Sequence, residues 1–367
     1  MKITATKDNL LFGVTAVQKA VSTKNPLPIL SCIRLEAREN MLYFSATDLE
    51  IGIQCYVPVE VIREGVAVIP ARHFSEIVRK LPDSMITLNK VSESELIIEY
   101  DDSQLTLKIL TADEFPDIPD VMGDHQIQVK ASILKQMIRQ TVFAAGSDEG
   151  RPLFTGILCE CQDDKIRLVA TDTHRLALRQ GTILNTIKEQ LSFIVPGKMM
   201  AELARLMYEE EETCVISVTK NLVSFKVSNI RIICRLLEGQ FPNYKQVIPV
   251  QYNLKIKAKT KRMQEAIERI SLFTMLNDSS NTISIQIKEN TMVVSSQSEM
   301  GQGYEQLYVE GEGEPVGISF NARYLLDVLK IMEAEEVAVE FTGSLSPCIV
   351  RPAESENFIY LLLPVRT

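Results

Sequence analysis

A chain of 367 residues with 46% hydrophobic and 24% charged side chains has the composition of an ordinary globular protein, and its length suits two or three domains. No stretch approaches the ~18 consecutive apolar residues of a membrane span, and Lys7 and Asp8 break the start where a secretory leader needs its apolar run, so a cytoplasmic protein is expected. The net charge of −9, taken over the whole chain, argues against a protein that coats nucleic acid.

The first element predicted is an amphipathic helix with Leu10, Leu11, Val14, Val17 and Val21 on one face. Alternating, β-branched stretches follow, CIRLEAR from Cys32 and MLYFSAT from Met41, and read as strands. A second short helix carries Phe74, Ile77, Val78 and Leu81, and the strands SMITLNK, ELIIEYD and QLTLKIL come after it. The same order then returns: a helix with Ile133, Leu134, Met137 and Ile138, strands TGILCEC and KIRLVAT, and a helix with Met200, Leu203, Ala204 and Met207. It returns again with Met263, Ala266, Ile267 and Ile270, then TISIQIK and TMVVSSQ, then Tyr324, Leu325, Val328 and Leu329.

Marker residues give the period. Phe115-Pro116 and Phe241-Pro242 lie 126 residues apart, and Leu363-Pro364 follows after 122. Pro70, Pro196 and Phe320 hold one slot, and Asp48, Asp172 and Ser298 hold another. A period this long makes each repeat a domain, expected at 1–122, 126–249 and 252–367 with short linkers near 119–125 and 247–251. Runs of strands with two isolated helices per copy predict an α+β fold: helices packed on antiparallel sheet, each copy opening on its helix.

The charge is unevenly spread. Windows over the six helices (7–24, 71–80, 130–141, 197–208, 257–270 and 321–330) hold 18 basic and 6 acidic residues, leaving 21 basic and 42 acidic elsewhere. Amphipathic helices commonly carry Lys and Arg on their wet face, but they carry Glu as well, and Glu is scarce here. Basic helices within an acidic remainder fit a polyanion. No helix-turn-helix, aromatic RNA-binding strand or zinc-finger spacing occurs, and Trp is absent, which leaves sequence-independent contact with duplex phosphates.

Catalytic and cofactor motifs are missing. There is no Walker A loop, GQG at 301–303 lacks a third glycine, and the three His (73, 125 and 174) fall in different repeats. Asp172-Thr173-His174-Arg175 has no partner Ser in a GxSxG context, and Asp48-Leu49-Glu50 repeats its scaffold, so Asp48 and Asp172 are expected to close turns. No enzyme activity and no cofactor are expected. Seven scattered Cys, among them Cys159 and Cys161 on one strand face, read as reduced, buried thiols.

The stretches NPLPILSCI with TDLEIGI, FAAGSDEGRPLFTGILCE with LVATDTHRLAL, FIVPGK, EGQFPNY and the terminal IYLLLPVR carry a resemblance over essentially the whole chain. It resembles the bacterial replicative sliding clamp family, the beta subunit of DNA polymerase III. That resemblance implies a head-to-tail homodimer closed into a ring around duplex DNA and loaded by a separate clamp loader. Twelve helices abreast at roughly 10 Å each would line a bore near 28 Å, wide enough for a duplex with a layer of water. The resemblance also implies a pocket between the second and third domains for short motifs of the replicative polymerase, other polymerases and repair proteins. The matching residues are Phe154, Thr171, His174, Arg175, Leu176, Pro242, Val247, Asn321, Tyr324, Leu345, Leu361, Leu362, Leu363, Pro364, Val365 and Arg366. DNA-facing positions implied by the match are Lys24, Arg151 and Lys198; helix position adds Lys135, Arg139, Arg205, Lys259 and Arg262. Dimer contacts are expected to join Leu105 and Leu107 to Leu272 and Phe273. The tail Leu363-Pro364-Val365-Arg366-Thr367 and Gln246 depart from the family pattern. The alternative is a non-encircling replication or repair scaffold that displays such pockets as a monomer, which a solution mass separates from the ring.

Overall fold

The computed structural model describes residues 1–22, 27–121, 123, 125–208, 211–274, 281–299 and 301–366. Six helices occur among them: α1 (Lys7–Val17), α2 (Ala71–Lys80), α3 (Ala131–Arg139), α4 (Gly197–Leu206), α5 (Thr260–Ser271) and α6 (Ala322–Ile331). Their predicted stripes are the buried ones. Leu10, Val14 and Val17 are buried in α1, Phe74 and Val78 in α2, and Met263, Ala266, Ile267 and Ile270 in α5. Val21 is an exception: the helix has ended, and Val21 is extended (φ −82°, ψ 125°) after a 3-10 turn at Gln18–Ala20. No helix among the described residues is long and apolar enough to cross a membrane.

No copy opens on its helix. Short strands come first, Lys2–Thr6, His125–Lys130 and Leu254–Lys259, each passing directly into α1, α3 or α5. The reason is in their side chains: Ile3 and Ala5, Ile127 and Val129, Ile256 and Ala258 are buried at alternate positions. Two or three apolar residues per strand (Leu254 adds a third in the last copy) make a weak period beside the helical stripe that follows.

All the strand pairings are antiparallel. The chain divides into two compact units. The first comprises 1–134, 183–185 and 202–236; the second comprises 135–182, 186–201 and 237–367. In the first, a five-stranded sheet runs 60–63, 2–6, 85–92, 95–100, 103–108, and an eight-stranded sheet runs 125–130, 213–218, 222–227, 230–235, 51–58, 41–47, 32–38, 65–70. The eight-stranded sheet joins the first two sequence repeats through Ile51–Pro58 and Ile230–Arg235, with Gly52 opposite Ile233. α1 lies close on it because Gly13 has no side chain; a Cβ there would overlap the Phe44 ring.

In the second unit a seven-stranded sheet runs 156–171, 175–196, 358–362, 348–352, 336–341, 254–259, 310–313, and a four-stranded sheet runs 301–308, 291–298, 282–288, 316–321. Here Arg175–Arg179 pair with Phe358–Leu362, which joins the second repeat to the third. The repeated Phe-Pro markers are core anchors: Phe241 packs with Leu158, Val169, Leu176, Leu178, Ile194, Tyr244 and Leu361, and Phe115 with Ile29, Leu30, Cys32 and Val68. All seven cysteines are free and buried.

Candidate functional site

The segment Thr171–Arg175 turns the chain from one long strand of the seven-stranded sheet into the next. Asp172 Oδ1 accepts from the backbone N–H of His174 and of Arg175, both at 3.0 Å. Thr171 Oγ1 donates to the Arg175 carbonyl at 2.7 Å and accepts from Thr173 N–H at 3.3 Å. The first repeat builds the same turn. Asp48 Oδ1 accepts from Glu50 and Ile51 at 3.0 and 2.7 Å, and Thr47 Oγ1 bonds the Ile51 carbonyl and Leu49 N–H at 2.9 and 3.0 Å. Leu49 and Thr173, at φ 78° and 81°, take the left-handed conformation that L side chains rarely adopt, and the side-chain bonds on both sides hold them there. Asp48 and Asp172 are thus turn residues, as their repetition implies, and the chemistry that distinguishes the second copy is His174 and Arg175.

Arg175 is committed in every direction. Its Nε donates to Asp172 Oδ2 at 2.9 Å, one terminal nitrogen to Asp327 Oδ2 at 2.6 Å, and the other to the Phe143 carbonyl at 2.6 Å. Its guanidinium lies 4.3 Å above the Tyr324 ring, and its side chain is 10% exposed. Burial works against its charge, but Tyr360 and the two carboxylates outweigh burial and hold its pKa above the ordinary range. His174 stacks on Tyr324 at 6.3 Å and 24°, and Tyr360 donates its hydroxyl to the Tyr324 carbonyl at 2.9 Å.

Two adjoining cavities border this network. An apolar one of about 180 Å3 is lined by Phe154, Thr171, Thr173, His174, Arg175, Leu176, Pro242, Asn243, Tyr244, Val247, Leu361 and Leu363. A wider, polar groove of about 470 Å3 runs past Gly146, Asp148, Arg151, Phe154, Asp172, Arg323 and Tyr324, and shares Thr173, His174 and Arg175 with the first. Nine of the sequence-derived residues thus meet in the apolar cavity, and Tyr324 joins them in the groove. The others lie outside either lining. Asn321 caps α6, its side chain accepting from Arg323 and Tyr324 N–H at 3.0 and 3.3 Å. Leu362 is fully buried, Leu345 is 70% exposed in the turn after Glu336–Phe341, and Arg366 is exposed. Pro364 and Val365 are half-buried, and Val365 N–H is tied to the Ser319 carbonyl at 2.8 Å. Thr173, Asn243 and Tyr244 also line the cavity; they lie within the stretches LVATDTHRLAL and EGQFPNY that carry the resemblance, without being singled out there as pocket residues. Tyr244 is buried in the core below the cavity, and its hydroxyl bonds Glu160 at 2.5 Å and Arg167 at 3.2 Å. Its place beside the Phe-Pro marker was the available signal.

The first repeat shares the turn but packs differently beside it. Gly52 stands where Leu176 stands, and the Ile118 side chain lies on it so closely that a Cβ would meet its methyl at 2.8 Å. Ile118 thus follows the first Phe-Pro marker as Tyr244 follows the second, where Tyr244 lines the cavity.

Among the basic residues, Lys24 lies outside the described residues. Arg139, Lys198, Arg205, Lys259 and Arg262 are exposed, and Lys135 is half-buried on α3. Several are already matched by acids: Arg205 bonds Glu202 at 2.5 Å, and Lys259 bonds Glu335 and Glu336 at 2.9 and 3.1 Å. Arg151 lies 3.9 Å from Asp148 and lines the polar groove. Two of the terminal strands carry, or lie beside, the residues expected at a dimer contact. Ser103–Lys108 ends the five-stranded sheet and carries Leu105, 37% exposed, and half-buried Leu107. Gly301–Tyr308 ends the four-stranded sheet with exposed Tyr304 and Tyr308. Next to that edge Leu272 is 78% exposed and Phe273 packs against Gly303.

Comparison with known proteins gives matches along nearly all of the chain. Three family models match in order: the N-terminal domain of the DNA polymerase III beta subunit over residues 1–119, its central domain over 128–243, and its C-terminal domain over 245–366. The beta sliding clamp of Bacillus subtilis (strain 168) is 34% identical over 378 residues, with 100% of each chain covered. Among solved structures, the Bacillus subtilis DNA polymerase sliding clamp superposes with a TM-score of 0.96 at 35% identity, covering 100% of this chain and 99% of its own. A Pseudomonas aeruginosa sliding clamp bound to griselimycin gives 0.95 at 28% identity, with 100% of each covered.

Proposed function

Because the chain belongs to the DNA polymerase III beta subunit family, it is a sliding clamp, and we propose that two copies close head to tail around duplex DNA and tether polymerases through the cavity beside Arg175. As a clamp it is an accessory subunit, to which we assign no reaction of its own. The observation that carries the peptide reading is the convergence of Leu176, Pro242, Val247, Leu361 and Leu363 on one apolar cavity rimmed by His174 and Arg175. That combination takes an apolar anchor from an extended peptide and fixes its backbone with a few polar groups.

We assign Leu105, Leu107, Leu272 and Phe273, with the edge strands Ser103–Lys108 and Gly301–Tyr308, to the dimer contact. An exposed edge with apolar side chains is an aggregation hazard unless a second copy covers it. The exposed cations Arg139, Lys198, Arg205 and Arg262 on the helices, and Lys259, which the fold places at the end of the strand leading into α5 and not on the helix, are assigned to duplex phosphates, with Lys24, Lys135 and Arg151 as further candidates. Pairing with glutamates keeps that contact weak and salt-screened, which suits sliding better than tight binding. Domain limits near 1–122, 126–249 and 252–367, the polymerase and clamp loader as partners, and a cytoplasmic location belong to the same proposal. Primer extension on a circular single-stranded template tests it. With the cognate polymerase and loader, adding this protein should lengthen the products of a single binding event; unchanged lengths would count against the assignment.

A further inference from the structure

We propose that Asp327 is a positioning residue for the peptide cavity, acting through Arg175 and Tyr324 and not by contact with the peptide. This rests on the reading of the cavity given above. Asp327 lines neither cavity. It is the one acid on α6, and it stands in the middle of the helix, where it neither caps the N-terminus nor complements the helix dipole. Its carboxylate instead accepts from Arg175 at 2.6 Å, and its side chain is 29% exposed.

That bond fixes where the guanidinium sits. Arg175 lies 4.3 Å over the Tyr324 ring, and Tyr324 stacks in turn on His174. The His174 carbonyl accepts from Leu363 N–H at 2.9 Å, which ties the His174 backbone to another residue of the apolar cavity's lining. Asp327 therefore orients a chain of three side chains, two of which, His174 and Arg175, border both cavities. Losing it leaves Arg175 its bonds to Asp172 and the Phe143 carbonyl, so the fold survives, while the guanidinium loses its anchor on α6 and can pivot about the remaining two bonds, away from the Tyr324 face.

The test is fluorescence polarisation of a labelled peptide from the C-terminal tail of the cognate replicative polymerase, with full-length protein. Asp327→Ala should weaken binding about tenfold, and Asp327→Asn, whose amide oxygen still accepts, only about threefold. A merely structural role would lower the melting temperature without this order of affinities. A double-mutant cycle with His174→Ala supplies the decisive readout, because residues in one network are not additive. If each single change costs about tenfold, the double variant should lose little more than about tenfold. An independent loss of about a hundredfold would overturn the proposal, as would wild-type affinity in both Asp327 variants. Failure of the wild-type protein itself to bind the peptide would overturn the reading of the cavity instead. Should Asp327→Ala fail to fold, Asp327→Asn and its cycle with His174→Ala carry the same test.

Discussion

Replacing Arg175 with Ala should cost stability as well as partner binding. From the resemblance, loss of partner binding with the ring left intact is expected; the structure adds a loss of stability. The guanidinium makes three charge-assisted hydrogen bonds, at 2.9, 2.6 and 2.6 Å, with its side chain 10% exposed. Removing one partner from a buried ionic network costs about 3–5 kcal/mol, because the remaining charges stay desolvated. Asp172 is 14% exposed and stays largely dry, whereas Asp327, at 29%, recovers part of its hydration. That favours the lower end, to which the lost contact with the Tyr324 ring adds about 1 kcal/mol. We expect a loss of about 3–4 kcal/mol, inside the 5–15 kcal/mol margin of a typical domain, so the variant folds but unfolds at markedly lower urea. Arg175→Lys should recover little, since an ammonium cannot span two carboxylates and a carbonyl in the forked geometry. Urea unfolding followed by far-ultraviolet circular dichroism measures this, with peptide polarisation alongside. An Arg175→Ala protein within 0.5 kcal/mol of wild type, a threshold of the order seen for surface changes, would refute the idea that this network holds the cavity.

Other consequences are simpler to state. Gly13→Ala should destabilise the protein: a helical Gly→Ala change gains about 1 kcal/mol, but overpacking against Phe44 costs about 1–3 kcal/mol, and a raised melting temperature would contradict this packing. Leu105→Glu should weaken dimerisation at least about thirtyfold if the strand edge is an interface hot spot, visible as monomer in sedimentation at low micromolar concentration; an unshifted dimer would remove Leu105 from the contact. Burial pushes the thiols of Cys55, Cys161, Cys234 and Cys348 up to about 12, well above the ordinary thiol range. The folded protein thus keeps protons that the unfolded chain releases, so the stability from these thiols is whole below about pH 8.5 and declines from there towards pH 12. The urea midpoint should fall between pH 7 and pH 9.5 while native thiols stay inert to a thiol reagent, and rapid labelling of the native protein would contradict their burial.

What the sequence made legible was mostly local or repeated. Helical stripes such as Met263, Ala266, Ile267 and Ile270 sit where their period puts them, and the Phe-Pro markers turn out to be core anchors. The Thr-Asp turn was readable because it occurs twice. The missing parts were long-range or faint. Pairing of Arg175–Arg179 with Phe358–Leu362 joins segments about half the chain apart, and no local pattern encodes a strand partner. The bond from Arg175 to Asp327, across 152 residues, was invisible for the same reason. Ile118 on Gly52 shows a different limit: the first and second copies share a turn and a marker, yet their packing differs through Gly52 against Leu176 and Ile118 against Tyr244.

The central claim is topological, and retention on DNA tests it most directly. Protein loaded onto a nicked circular plasmid should stay bound through gel filtration at moderate salt and should be lost once the same plasmid is cut to a linear form. Equal retention on circular and linear DNA, or equal loss from both, would contradict a clamp that holds DNA by encircling it.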